Sequence, residues 1–161
     1  MTESGANTEL PLILGTELVT LDEKGRLLLA KKKRERLGPD FAIVHGEVGC
    51  LIAYPKARWE KLAREILDRP TTNPGRQQYS RLLLANSEDD MNCDTQGRFV
   101  IPKELRGLAK LGKDVLLVGC GDRMEIWIPE QYAKYKEDPD NYERGRRATL
   151  ELAERRMTEG A

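Results

Sequence analysis

The segment Asp22-Glu23-Lys24-Gly25-Arg26-Leu27-Leu28-Leu29 decides the fold, because it occurs again 72 residues further along the chain. The second copy is Asp94-Thr95-Gln96-Gly97-Arg98-Phe99-Val100-Ile101. Both copies read D-x-x-G-R followed by three apolar residues. In a type I β-turn the first-position Asp accepts hydrogen bonds from nearby backbone N–H groups, and Gly at the fourth position tolerates a positive φ. We therefore predict one tight turn at residues 22–25 and another at 94–97.

Turn chemistry does not explain the arginine that follows each turn. Arg26 and Arg98 each lead into a predicted strand. The guanidinium there either pairs with the carboxylate of its own turn or is presented outward as a cation. The duplication of the motif favours outward presentation of the guanidinium, because two equivalent arginines on two equivalent turns suggest a surface with two-fold symmetry. A lysine also follows each copy at the same offset, Lys31 in the first and Lys103 in the second.

The segments beyond the turns also repeat. Residues 41–44 correspond to 115–118, and residues 51–55 correspond to 125–129, at an offset of 74. Such self-similarity indicates two copies of one supersecondary unit, here in the order β-β-α-β-β-α. Two prolines in the segment 69–74 mark a linker between the copies.

Hydrophobic periodicity and breaker residues predict the individual elements. In the first copy we expect strands at 16–21, 26–29, 41–44 and 51–54, and a helix at 31–37. A second helix follows Pro55, with one apolar face formed by Trp59, Leu62, Ala63, Ile66 and Leu67. After a helix at 75–85, we expect strands at 90–93 and 98–101, a helix at 102–108, two more strands, and a helix from Pro129. Residues 1–11 are predicted to be disordered, and 142–157 to form a solvated or fraying helix.

Composition narrows the class of protein. The chain has 161 residues, which suits one or two small domains, and its formal net charge is zero. Attraction to nucleic acid must therefore come from local clustering of charge. The sequence contains no apolar run near the length of a membrane span, and its first residues lack the pattern of a signal peptide. Three separated cysteines without a C-x-x-C motif favour a reducing cytoplasm and argue against a zinc site.

The sequence argues against an enzyme. Asp22 and Asp94 could serve as paired acid and base groups, but turn formation accounts for both. His45 lies at a predicted strand end, with no nucleophile pattern beside it. No phosphate-loop, dinucleotide-binding or nucleophile-elbow motif occurs, so no cofactor is predicted. The cysteines are expected to act as small core hydrophobes.

A cluster of basic residues begins on the first turn. From residue 24 to 36, seven basic residues and one acid give a local net charge of +6. Clustered Lys and Arg contact phosphates, and an arginine can also bind guanine O6 and N7 in the major groove. We predict Arg26 and Arg98 as the base-reading residues. The residues predicted to contact phosphates are Lys24, Lys31, Lys32, Lys33 and Lys103. The second copy carries Gln96 in place of Lys24, so the two halves should contribute unequally.

Taken together, these motifs resemble the MraZ family of bacterial regulators, which contain two tandem SpoVT/AbrB-type swapped-hairpin modules. The resemblance extends from about residue 14 to 135. It rests on Gly15, the segment 21–26, the Trp59 helix, the segment 73–85, and the second turn with Gly97 and Arg98. The family usually has a proline after the apolar triplet; here the first copy has Ala30 and the second has Pro102.

The resemblance implies an α+β, β-rich fold in which two tandem swapped-hairpin modules form an intramolecular pseudo-dimer with short flanking helices. The expected organisation is a first SpoVT/AbrB-like repeat at 16–58, helices and a linker at 59–89, a second repeat at 90–133, and a helical tail at 134–161. It further implies that chains assemble into a homo-oligomeric closed ring, in the cytoplasm and associated with the nucleoid.

The resemblance also implies a function. In such proteins the D-x-x-x-R residues bind short G-rich direct repeats of double-stranded DNA upstream of a cell-division and cell-wall operon. The corresponding residues here are Asp22 with Arg26 and Asp94 with Arg98. The alternative is a self-assembling scaffold protein whose repeated turns serve ring contacts only.

Overall fold

The structure is a computed structural model in which residues 12–46, 48–138 and 143–159 are described. The chain divides into two compact units, with the boundary between Ile128 and Pro129. The predictions for residues 1–11 lie outside the described residues. No helix among the described residues is both long enough and apolar enough to cross a membrane.

The first unit contains both copies of the repeat. Elements of the first copy are β1 Ile13–Thr20, β2 Arg26–Leu28, α1 Lys31–Leu37, β3 Phe41–His45, β4 Leu51–Pro55 and α2 Lys56–Leu67. A connecting segment follows, with α3 Pro74–Tyr79 and a π-helical turn Ser80–Leu84. Elements of the second copy are β5 Ser87–Met91, β6 Arg98–Val100, α4 Lys103–Leu108, β7 Asp114–Gly121 and β8 Met124–Trp127.

Strands of both copies are interleaved within each sheet. The larger sheet has the order β1-β7-β8-β4-β3-β5, and β2 pairs with β6 in a two-stranded ribbon. All of these pairs are antiparallel. The pairs β3–β4 and β7–β8 are hairpins within one copy, whereas β1–β7, β3–β5, β4–β8 and β2–β6 join one copy to the other. The predicted α+β fold of interlocked, swapped-hairpin modules is therefore confirmed.

The main core lies between the ribbon, helices α1 and α4, and one face of the large sheet. Alternation along β2 and β6 turns Leu27 and Phe99 inward, where both are buried. Phe99 meets Phe41 of β3 edge to face, with ring centroids 5.2 Å apart. Such an aromatic pair contributes about 0.5–1.5 kcal/mol beyond the burial of its area. This packing fixes which face of the ribbon points to solvent.

A second apolar cluster lies beneath α2. Trp59 of α2 and Leu83 of the π-helical turn pack with Ala42 and Val44 of β3. Tyr54 stacks on Trp59 with ring centroids 5.9 Å apart. The predicted apolar face of α2 is confirmed except at Leu67, which lies at the end of the helix and is exposed.

Several predicted boundaries were wrong. Strand β5 begins at Ser87 and ends at Met91, so it starts three residues before the predicted segment 90–93 and includes only the first half of it. The pairing of β3 with β5 shifts register between Phe41 and Ile43, and Asp90 has φ +55°. The predicted helix at 75–85 is α-helical only to Tyr79 and then widens into the π-helical turn. Strand β1 begins at Ile13, earlier than predicted.

The cysteine prediction holds only in part. Cys50 is buried and behaves as a small core residue, whereas Cys93 and Cys120 are partly exposed. Burial raises the pKa of the Cys50 thiol to about 12.

The second unit consists of α5 Pro129–Glu137 and α6 Glu143–Glu159. Tyr132 and Tyr135 of α5 stack with ring centroids 6.3 Å apart, and the Lys136 ammonium lies 5.7 Å from the Tyr132 ring centroid. The predicted helix in the tail is confirmed.

Candidate nucleic-acid interface

Asp22 closes the first turn through its backbone and its side chain. Its carbonyl accepts a hydrogen bond from the Gly25 N–H at 2.9 Å. Its Oδ1 accepts from the backbone N–H of Lys24 at 2.9 Å and of Arg26 at 2.8 Å. Gly25 has φ +78°, a conformation that glycine adopts without the steric cost of a Cβ. The predicted turn roles of Asp22 and Gly25 are confirmed.

The second turn reproduces this geometry. The Gly97 N–H donates to the Asp94 carbonyl at 3.0 Å, and Gly97 has φ +86°. Asp94 Oδ1 accepts from the backbone N–H of Gln96 at 2.9 Å and of Arg98 at 3.0 Å. The two turns are therefore built alike even where their side chains differ.

Hydrogen bonding lowers the pKa of both turn carboxyls. For Asp22 the largest cause is the backbone N–H of Arg26, and for Asp94 it is the backbone N–H of Arg98. These bonds favour the charged form of each carboxyl. Both turns therefore carry a carboxylate at neutral pH.

Each arginine pairs with its own turn and remains partly exposed. Arg26 Nε lies 2.5 Å from Asp22 Oδ2, and Arg98 Nε lies 3.4 Å from Asp94 Oδ2. The two arginine side chains are 33% and 32% exposed, respectively. Within the described residues, these guanidinium groups form side-chain hydrogen bonds through Nε only. Both of the roles considered from the sequence are thus present: the carboxylate holds Nε, while the terminal nitrogens stay available.

The two arginines lie on one face of the β2–β6 ribbon. Arg26 is opposite Val100, Leu28 is opposite Arg98, and Leu27 is opposite Phe99 at the centre. Because Leu27 and Phe99 point into the core, the arginines share the outward face. Their positions are diagonal across the ribbon, where residues lie about 7–8 Å apart and their Cβ atoms are slightly closer.

Each turn is braced by an arginine of the other copy. A Cβ added at Gly25 would lie 2.5 Å from Cζ of Arg106, and one added at Gly97 would lie 2.7 Å from Cζ of Arg34. Arg106 Nε also donates to the Ile101 carbonyl at 3.0 Å. A side chain at either glycine would therefore be strained by the positive φ and would also force the flexible end of the arginine to shift.

Sequence reasoning missed this bracing role. Arg34 was counted only as one cation of the basic cluster, and Arg106 was not singled out. The two residues are separated by the same 72 positions as the two turns, so the repeat offset was the signal that could have paired them.

Tertiary contacts divide the basic cluster into residues that are paired within the protein and residues that remain exposed. Lys33 Nζ lies 3.8 Å from Glu17 Oε1 of β1, and only 16% of the Lys33 side chain is exposed. Arg36 Nη1 donates to the Leu12 carbonyl at 2.7 Å. The remaining lysines predicted to contact phosphates are exposed: Lys24, Lys31, Lys32 and Lys103. Of these, Lys31 has its Nζ 4.0 Å from Oε1 of Glu35. Because both side chains are exposed, this ion pair restrains Lys31 little.

Ala30 and Pro102 occupy equivalent positions in the two copies and have nearly the same backbone conformation. Ala30 has φ −58° and ψ 145°, and Pro102 at the equivalent position has φ −53° and ψ 137°. Both precede a short helix, α1 or α4. Ala30 therefore adopts a conformation that proline favours.

Comparison with known proteins agrees with this architecture. The sequence matches the family described as "MraZ protein, putative antitoxin-like" over residues 12–82 and 84–151. Relatives named "Transcriptional regulator MraZ" occur in several bacteria. The protein of Saccharopolyspora erythraea is 37% identical over 86% of this chain and 97% of its own length. The protein of Heliobacterium modesticaldum is 36% identical over 78% of this chain and 87% of its own length. The protein of Lactiplantibacillus plantarum is 40% identical over 72% of this chain and 82% of its own length. The chain belongs to the MraZ family.

Proposed function

We propose that this protein is a sequence-specific, DNA-binding transcriptional regulator that binds G-rich direct repeats through Arg26 and Arg98. One observation carries the proposal. Two equivalent guanidinium groups lie on the outward face of one ribbon, and each is held through Nε by its own turn carboxylate. Pairing through Nε leaves the terminal nitrogens free to approach guanine O6 and N7.

The dimensions of the ribbon suit the major groove of B-DNA. The groove is about 12 Å wide and admits a two-stranded ribbon, whose strands lie about 4.8 Å apart. The diagonal spacing of about 7–8 Å between the two arginine positions is close to two base-pair steps of about 3.4 Å each. The two side chains could therefore contact guanines two positions apart. Because Asp22 and Asp94 already restrain the arginines, less side-chain entropy is lost on binding.

Lysines around the ribbon would position the duplex. Lys24 is exposed on the first turn, and Lys31 and Lys103 are exposed at the start of α1 and α4. Together with Lys32 they can contact phosphates and make affinity depend on salt. Lys33 would first have to leave Glu17, so we expect a smaller contribution from it.

Family membership supports the finer parts of the proposal. They are a non-enzymatic role, binding upstream of a cell-division and cell-wall operon, and a closed homo-oligomeric ring in the cytoplasm at the nucleoid. Head-to-tail contacts that close give rings, which would present several ribbons to successive repeats. The two SpoVT/AbrB-like repeats would span 16–58 and 90–133, with a helical linker at 59–89 and a tail at 134–161.

The proposal is tested by competition between a G-rich repeat duplex and a random duplex. Arg26→Ala and Arg98→Ala should each lose about 1–3 kcal/mol of discrimination, the value of one bidentate base contact. Arg26→Lys keeps the charge but not the planar fork, so it should lose the preference while still binding both duplexes.

Arg58 offers a matched control on α2. Its Nε lies 3.9 Å from Asp122 Oδ2, and its side chain is 32% exposed, as in the ribbon arginines. Arg58→Ala should keep the full preference. If the ribbon variants assemble normally by light scattering and also keep it, the turns do not read bases, and the scaffold alternative is favoured.

A further inference from the structure

Two exposed apolar side chains lie beside the arginines on the outward face of the ribbon. Leu28 is 61% exposed and Val100 is 46% exposed. They occupy equivalent positions 72 residues apart in the two copies. Leu28 is directly opposite Arg98, and Val100 is directly opposite Arg26. Each half of the ribbon therefore presents one guanidinium beside one apolar side chain.

Hydrogen bonding at the ribbon ends brings these pairs close together. The Leu29 N–H donates to the Gly97 carbonyl at 2.9 Å, and the Ile101 N–H donates to the Gly25 carbonyl at 3.0 Å. Opposed residues in antiparallel strands alternate between bonded and non-bonded pairs, and side chains are closer in non-bonded pairs. Because residues 29 and 97 form one bonded pair and residues 25 and 101 form another, the adjacent pairs Leu28–Arg98 and Arg26–Val100 are non-bonded pairs. Their Cβ atoms are then about 4.5–5.5 Å apart.

The exposure of Leu28 and Val100 follows from the packing of the ribbon. Leu27 and Phe99 between them are buried in the core, so the ribbon cannot turn its other face outward without exposing both. A single exposed apolar residue is ordinary on a protein surface. Here there are two, at equivalent positions and beside the proposed base-reading groups.

The charges around the pair favour one occupant. Lys24 lies on the turn that leads into β2, and Arg26 and Arg98 share the ribbon face. An apolar protein surface covering this face would have to desolvate both guanidinium groups. The DNA major groove instead combines a strongly negative surface with an exposed apolar group, the C5-methyl of thymine.

We infer that Leu28 and Val100 contact pyrimidine C5-methyl groups in the major groove. This inference rests on the proposed function. Each half of the ribbon would read a guanine through its arginine and, on a neighbouring base pair, a thymine methyl through the opposed apolar side chain. The preferred site must then contain a thymine next to its guanines. A G-rich sequence without a C5-methyl group at that position would bind less tightly.

Replacing single thymidines by deoxyuridine tests this, because the change removes only the methyl group. The probe is a short synthetic duplex chosen for tight binding to the full-length protein from a random pool. We expect a position beside the guanines at which deoxyuridine weakens binding about fourfold, as expected for about 0.8 kcal/mol per buried methyl-sized group. Leu28→Ser should weaken binding to the thymidine duplex and abolish the difference between the two duplexes. The double variant with Val100→Ser should be insensitive at every position.

Leu67→Ser is the matched control, since Leu67 is 47% exposed on α2. It should keep the deoxyuridine effect. The inference is overturned if no thymidine is sensitive, or if the ribbon variants remain sensitive. It is also overturned if Leu28→Ser and Val100→Ser change the oligomeric state by light scattering, which would assign the pair to contacts between copies. Absence of any sequence preference in the wild-type protein would instead refute the proposed function itself.

Discussion

Replacing Gly25 by Ala tests how firmly one copy braces the turn of the other. Gly121 provides the comparison, because it also has a positive φ, +86° against +78° for Gly25. A Cβ at Gly121 would have no neighbour within 4 Å, whereas one at Gly25 would lie 2.5 Å from Cζ of Arg106. Both substitutions carry the cost of a side chain in a left-handed conformation, about 1–2 kcal/mol.

Only Gly25→Ala should carry a second cost. The guanidinium of Arg106 must shift, and we expect this shift to break its 3.0 Å hydrogen bond from Nε to the Ile101 carbonyl. A hydrogen bond involving a charged group contributes about 1.5–3 kcal/mol. We therefore expect Gly25→Ala to lower the free energy of unfolding by about 1.5–3 kcal/mol more than Gly121→Ala does.

Urea denaturation at one fixed protein concentration measures these differences, since assembly makes stability depend on concentration. Arg106→Ala removes the obstructing group, so the double variant Gly25→Ala/Arg106→Ala should be more stable than the sum of the single changes predicts. Equal losses for Gly25→Ala and Gly121→Ala would refute the bracing role. Simple additivity of Gly25→Ala and Arg106→Ala would refute it as well.

Three further predictions concern the backbone, the turn carboxyls and the lysines. Ala30→Pro should raise the free energy of unfolding by about 0.4–1 kcal/mol in urea denaturation, because Ala30 already has a proline-compatible φ of −58°. Since the folded pKa values of Asp22 and Asp94 are lowered, their stabilising contribution is present above the unfolded pKa of about 3.9 and is lost as pH falls through the folded values. As the pH is lowered below about 5, the urea concentration at the midpoint of unfolding should therefore decrease. It should decrease less steeply in the double variant Asp22→Asn/Asp94→Asn, and the same dependence on pH in both proteins would contradict the lowered pKa values. Lys32→Ala should lower the salt slope of DNA binding by about one, whereas Lys33→Ala should change it less because Lys33 pairs with Glu17; equal slopes would contradict this difference.

Local chemistry explains which parts of the site could be predicted. The bonds from Asp22 and Asp94 to their turns join residues two to four positions apart, so residue type and spacing were sufficient to predict them. The outward position of the arginines was predicted from the duplication of the motif. The failed boundaries, such as the end of β5, lie where pairing with a distant strand shifts the register.

The basic cluster illustrates a limit of the same reasoning. As a sequence, residues 24–36 form one patch with a net charge of +6. Folding turns Lys33 towards Glu17 of β1 and Arg34 towards Gly97 of the other copy, because successive residues of a helix point in different directions. The patch is thereby reduced to the residues that remain exposed.

The sequence by itself determined the two turns and the duplication of the unit, because turn formation depends on neighbours along the chain and the repeat is present in the order of the residues. Only the tertiary structure decided that β2 pairs with β6 and that Arg34 and Arg106 lie against the opposite turns. Those contacts join residues far apart in the chain. They exist because burying Leu27 and Phe99 in one shared core brings the two ribbon strands together.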